Sequence, residues 1–172
     1  MDKSRDTFIE VLDSHKGIIY KIVNSYCKDK DDRQDLVQEI IVQLWSSFHK
    51  FDERYKFSTW IYRIALNTSI SFYRKNKVRQ EETVEFPSII EHKMEVEDTS
   101  SQSQELALLN TFIQELREID KGLIIMYLDG LSSKEIAEVM GISPTNVTTK
   151  IGRIKDLLKK KFEHVNTQHH AG

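Results

Sequence analysis

The chain has 172 residues, with 25 lysines and arginines set against 27 aspartates and glutamates for a formal net charge of −2. That length builds one medium domain or two small ones. The longest apolar run, Leu123 to Leu128, is far too short for a bilayer span, and a single cysteine, Cys27, excludes an internal disulfide.

Six glycines and two prolines are few, and apolar residues recur at helical rather than alternating spacing. The fold is therefore predicted to be all-α. The opening MDKSRDTF lacks the apolar core of a signal peptide, so a cytoplasmic protein is expected. A first amphipathic helix is predicted over Phe8 to Cys27, with Ile18, Ile19, Ile22, Val23 and Tyr26 on one side. Cys27 is read as core packing. A second helix is predicted from about Asp32 to Phe48. Its inner arc holds Leu36, Val37, Ile40, Ile41, Leu44 and Phe48, and Asp35, Gln38, Glu39, Val42, Gln43 and Ser46 face outward. Taken alone, such a polar face is most simply solvated.

A loop from about His49 to Phe57 leads to a third helix, from about Ser58 to Lys77. Between Arg54 and Arg79 lie seven basic residues and no acidic one, interleaved with Tyr55, Phe57, Trp60, Tyr62, Phe72 and Tyr73. On a helical wheel Arg63, Asn67, Ile70, Arg74 and Lys77 form one stripe about 80° wide. Cations track a phosphate backbone, aromatic rings stack on bases, and an amide can meet the edge of an extruded base. Trp60 is as consistent with core packing as with such contact.

From Glu81 to Glu105 the chain carries eight acids and one lysine, with Pro87 and a serine- and glutamine-rich patch, which reads as a flexible acidic linker. Helical spacing resumes at Leu106, Leu109, Phe112, Ile113 and Leu116. Ser132 and Glu135 are spaced as a capping box, Gly141 permits a tight turn, and Ser143 with Pro144 opens another helix. That helix buries Val147, Ile151, Ile154 and Leu158 within about 60° of arc. Thr145, Thr149 and Arg153 fall opposite, with Asn146 beside them. Small hydroxyls and an arginine at the start of an exposed helix suit a major-groove reader. Lys150 to Lys161 adds six basic residues against one acid. The predicted domains are 1–81, a linker at 82–104, a helix-turn-helix domain at 105–165 and a disordered tail at 166–172.

The blocks Asp35-Leu36-Val37-Gln38-Glu39 and Phe57-Ser58-Thr59-Trp60-Ile61-Tyr62-Arg63-Ile64-Ala65 with Asn67, followed by Leu131-Ser132 through Arg153, resemble bacterial extracytoplasmic-function sigma factors. The resemblance implies a two-domain initiation factor that binds core RNA polymerase and promoter DNA. It places Asp35, Leu36, Gln38 and Glu39 against the polymerase. Phe57, Ser58, Thr59, Trp60, Arg63, Asn67, Arg74 and Lys75 would then meet the melted −10 element. Thr145, Asn146, Thr148, Thr149, Lys150, Arg153 and Lys155 would read and hold the −35 duplex. An anti-sigma factor, often at the inner membrane, is implied as a partner. No cofactor and no metal are called for, nor any enzymatic activity. The alternative is a LuxR-type helix-turn-helix regulator that binds duplex DNA as a dimer, which leaves the basic aromatic third helix without a role.

Overall fold

A computed structural model describes residues 4–82 and 101–171, with side chains described over 4–77 and 103–171. Among the described residues it contains helices only: α1 (Arg5–Tyr26), α2 (Lys30–Phe48), α3 (Phe57–Glu82), α4 (Ser101–Gln114), α5 (Glu118–Leu128), α6 (Ser133–Met140) and α7 (Pro144–His170). The acidic stretch 83–100 lies outside the described residues.

The first three helices form one unit. Ser4 caps α1 by accepting the Thr7 amide, and Asp29 caps α2 by accepting that of Asp32. Each thereby satisfies an amide that has no partner within its helix. Ile19, Ile22 and Val23 of α1 meet Leu36, Ile40 and Leu44 of α2 and Ile61, Ala65 and Leu66 of α3, all essentially sealed from water. Each fully buried aliphatic side chain of this size contributes about 1.5–3 kcal/mol of transfer free energy. Ile70 joins this core, so the exposed stripe of α3 is narrower than the wheel suggests. The α2–α3 loop is held by a cluster of rings. Phe51 stacks on Phe57 at 4.2 Å, and Trp60 lies 5.4 Å from Phe51 and 6.0 Å from Phe48.

Helices α4 to α7 form the second unit, around Ile113, Leu123, Ile124, Met126, Ile136, Val147, Ile151 and Ile154. The capping box is complete: Ser132 accepts the Glu135 amide and the Glu135 carboxylate accepts the Ser132 amide. Gly141 turns the chain at φ 69°, and Ser143 caps α7 with Pro144 in its first turn. Several bounds differ from expectation: α1 starts at Arg5 rather than Phe8, and α3 runs on to Glu82. Helix α4 begins at Ser101, inside the predicted linker, and α7 continues through His170 where a tail was expected at 166–172. Phe162, packed edge-on against Phe112 at 5.0 Å, anchors this C-terminal stretch of α7 to α4.

The two units touch. Helix α5 packs on α1 and α3, α6 packs on α3, and α4 reaches α1.

Candidate nucleic-acid interface

Helices α2 and α3 enclose an open groove of about 930 Å³ lined by Asp35, Glu39 and Gln43 on one wall and by Asn67, Thr68, Ser71, Arg74, Lys75 and Asn76 on the other. An acidic wall thus faces a basic and amide-bearing one. Asp35, Gln38 and Glu39 are exposed, and Gln43 donates to the Glu39 carboxylate at 3.0 Å. At the start of α2, burial raises the Asp32 carboxyl above its ordinary range, and the neighbouring Asp29, Asp35 and Asp31 add to the rise. Leu36 is a correction: it is fully buried in the three-helix core and takes no part in an outer surface. Exposed Val42 and Trp45 stand beside the acidic face instead. Their helical spacing from Asp35 and Gln38 was the available signal.

Arg63, Asn67, Arg74 and Lys75 are exposed on α3, while Phe57, Ser58 and Trp60 are half-buried at its start. Thr59 is buried between them, at the floor of a pocket. That pocket, of about 230 Å³, lies beside the loop and is lined by Lys50, Phe51, Asp52, Tyr55, Thr59, Trp60 and Arg63. The Arg63 guanidinium sits over the Tyr55 ring at 5.8 Å, a stacked pair of the kind that accepts a planar base. Lys50 and Tyr55 were not among the predicted contacts. Asn67 lines the α2–α3 groove and not this pocket. Of the predicted strand-contacting residues, Thr59, Trp60 and Arg63 line this pocket, and Asn67, Arg74 and Lys75 line the groove.

On α7, Thr145, Asn146, Thr149 and Arg153 are exposed on one side, opposite buried Val147, Ile151, Ile154 and Leu158. Thr149 donates to the Thr145 carbonyl at 3.1 Å. Lys150 is half-buried. Thr148 and Lys155 lie at the margin. Thr148 shares a hydrogen bond with Ser133 of α6, and the Lys155 ammonium donates to the Tyr127 hydroxyl at 2.9 Å while covering its ring. Both side chains are exposed and also contact neighbouring helices.

Comparison with known proteins adds to this geometry. Residues 11–79 match the family model of Sigma-70 region 2, and residues 106–158 match that of Sigma-70, region 4. The RNA polymerase sigma factor SigV of Bacillus subtilis is 31% identical over 155 residues, covering 88% of each chain. The ECF RNA polymerase sigma factor SigW of the same organism is 29% identical over 171 residues, covering 92% of this chain and 90% of its own. Among solved structures, CnrH in complex with the cytosolic domain of CnrY aligns with a TM-score of 0.68 at 22% identity, covering 94% of this chain and 90% of that one. The sigma factor RpoE in complex with the anti-sigma factor NepR, from Bartonella quintana, aligns at 0.66 and 18%, covering 92% and 96%. At those identities the structures speak for the fold.

Proposed function

This chain belongs to the extracytoplasmic-function sigma factors of RNA polymerase, and on that premise we propose how its own residues divide the work. Residues 1–81 engage the polymerase and the −10 element, and residues 105–165 engage the −35 element. Asp35, Gln38 and Glu39, extended by Val42 and Trp45, form the surface that docks core polymerase. The observation that carries the reading is the pair of separate exposed cationic surfaces, ringed by aromatics on α3 and rich in small hydroxyls on α7.

Opening the −10 element exchanges base pairing for contacts with protein. Stacking on an aromatic ring is worth about 1–3 kcal/mol per base, comparable to the few kcal/mol needed to extrude one. Phe57, Ser58, Trp60 and Arg63, with Tyr55, receive displaced bases beside the loop. Asn67 meets a base edge in the groove, and Arg74 and Lys75 hold the phosphates. Binding thus supplies the energy for strand opening, with no catalysis or cofactor of the protein's own. Thr145, Asn146, Thr149 and Arg153 read the −35 duplex, with Lys150 near a phosphate. The protein acts in the cytoplasm, and among the described residues no helix is long and apolar enough to cross a membrane. An anti-sigma partner, as in the solved complex of RpoE with NepR, holds it inactive, at the inner membrane where that partner is anchored there.

The test is capture of purified core RNA polymerase followed by transcription from a genomic promoter library. The expected result is stable association and new start sites that share −35 and −10 elements. Dimeric duplex binding without polymerase would overturn it.

A further inference from the structure

We propose that the cavity beside the C-terminal end of α1 binds a small phosphorylated ligand with a planar ring, its phosphate held by Lys121. The cavity measures about 320 Å³ and draws its lining from α1, the α1–α2 turn, α2, α3, α4 and α5. It shares Phe72 and Asn76 with the α2–α3 groove, but none of the residues assigned to polymerase or DNA lines it.

Lys121 carries the inference. It is only 3% exposed, yet among the described residues its ammonium meets no hydrogen-bond acceptor and no carboxylate, only the ring faces of Tyr26 and Tyr73 at 5.3 and 5.0 Å. The polar groups nearby are engaged elsewhere. The Tyr26 hydroxyl donates to the Glu118 carbonyl, the Glu118 carboxylate accepts from Arg74 at 3.4 Å, and the Gln114 amide donates to the Asn24 carbonyl at 3.3 Å. A buried ammonium without an acceptor is among the costliest groups a core can hold, and ring faces offset only part of that cost. Burial and the nearby Lys28 both weaken its hold on its proton. An anion seated in the cavity removes the cost.

The rest of the lining specifies the kind of anion. Lys28 and Lys77 are exposed at its edge, so three ammonium groups border the cavity against the carboxyls of Asp29 and Asp32. Asp29 is committed as the cap of α2, accepting the Asp32 amide. Burial, then the surrounding acids, raises the Asp32 carboxyl above its ordinary range. The Cys27 thiol, also in the lining, is held up at about 11 by burial and adds no charge. Lysine suits phosphate as a point charge. Half-buried Phe72 and Tyr73 offer ring faces beside it. The volume falls at the small end of ligand sites, which run from about 300 to 1,000 Å³, enough for one ring system and one phosphate.

The experiment uses the full chain and two variants, Lys121→Met and Lys28→Gln, with phenyl phosphate and inorganic phosphate as probes. Affinity is read by titration calorimetry and stability by the thermal midpoint. Phenyl phosphate is expected to bind the native chain, more tightly than inorganic phosphate does, and to raise its midpoint. Lys121→Met should melt higher than the native chain without ligand, because an unpaired buried charge is gone. It should also lose affinity for phenyl phosphate by about tenfold or more. Lys28→Gln, at an exposed position, should keep the fold and lose about twofold to fivefold. No binding of phenyl phosphate to the native chain would overturn the site. Binding that survives undiminished in Lys121→Met would mean a general anion effect and overturn it equally. Equal affinity for the two probes would overturn the ring contact. If Lys121→Met does not fold, unchanged affinity in Lys28→Gln overturns the placement of the phosphate.

Discussion

Single side chains on α3 and α7 carry the sharpest consequences. Asn67 is exposed in the α2–α3 groove, away from the core, so Asn67→Ala leaves the fold and polymerase binding intact. It is expected to impair open-complex formation, measured by permanganate reactivity of unpaired thymines, and normal reactivity would remove it from the strand contacts. On α7, Arg153 is exposed on the reader side and Lys155 is tied to Tyr127. Arg153→Ala should weaken the −35 interaction by about 1–3 kcal/mol if the side chain makes a bidentate base contact. Lys155→Ala, at an exposed cation suited to a phosphate, should weaken binding about equally across promoter sequences, so a loss of selectivity would contradict the division. Cys27 offers a test of burial. Burial holds its thiol up at about 11, while an unfolded cysteine ionises near about 8.5. Folding keeps the proton on. The contribution of this group to stability is present below the unfolded value and lost as pH rises toward the folded one. Iodoacetamide should therefore modify native protein very slowly at about pH 8 and denatured protein readily; equal rates would refute the buried site.

At the scale of elements, α6, its turn and α7 were legible because each boundary has a local chemical cause. Ser132 with Glu135, Gly141, and Ser143 with Pro144 act through their own backbone neighbours. Replacing Gly141 by valine puts a branched side chain at φ 69° and should cost about 1–2 kcal/mol or more, read as a lowered urea midpoint at unchanged slope. An unaltered midpoint would mean that the turn tolerates another backbone shape. Helix α5 received no predicted bounds for the opposite reason. Lys121 through Met126 are all buried, since α5 lies between the first unit and α6 and α7. A helix covered on every side shows no apolar period. The same limit explains the one misplaced site residue. Leu36 entered through motif membership, and a contiguous motif on a helix includes inward and outward positions alike. The outward set of α2 was legible, and Asp35→Arg should weaken docking to core polymerase in a competition assay. Unaltered affinity would return that face to solvent.

For the whole molecule, the contact between the units was invisible in the sequence because it pairs residues far apart along the chain, such as Lys21 with Asp129 and Tyr62 with Asp129. It also places Lys121 of α5 between the rings of Tyr26 and Tyr73, at 5.3 and 5.0 Å. Burial lowers the affinity of that ammonium for its proton, and the two ring faces offset part of the cost. Apolar residues of both units form one continuous cluster, so neither unit should unfold without disturbing the other. The sequence supplies two probes with different reach. Both tryptophans, Trp45 and Trp60, lie in the first unit, whereas far-ultraviolet circular dichroism reports every helix. Coincidence of the two signals is the test for a single transition. In the native sequence the urea curves from fluorescence and dichroism should superimpose. A Cβ at Gly122 would stand 3.2 Å from Leu66 Cδ2. In Gly122→Leu that wedge removes the coupling, while the added side chain improves the intrinsic helix preference of α5 by up to about 1 kcal/mol. The dichroism curve should then separate from the fluorescence curve into two steps. Two steps already in the native protein would mean that the units fold independently.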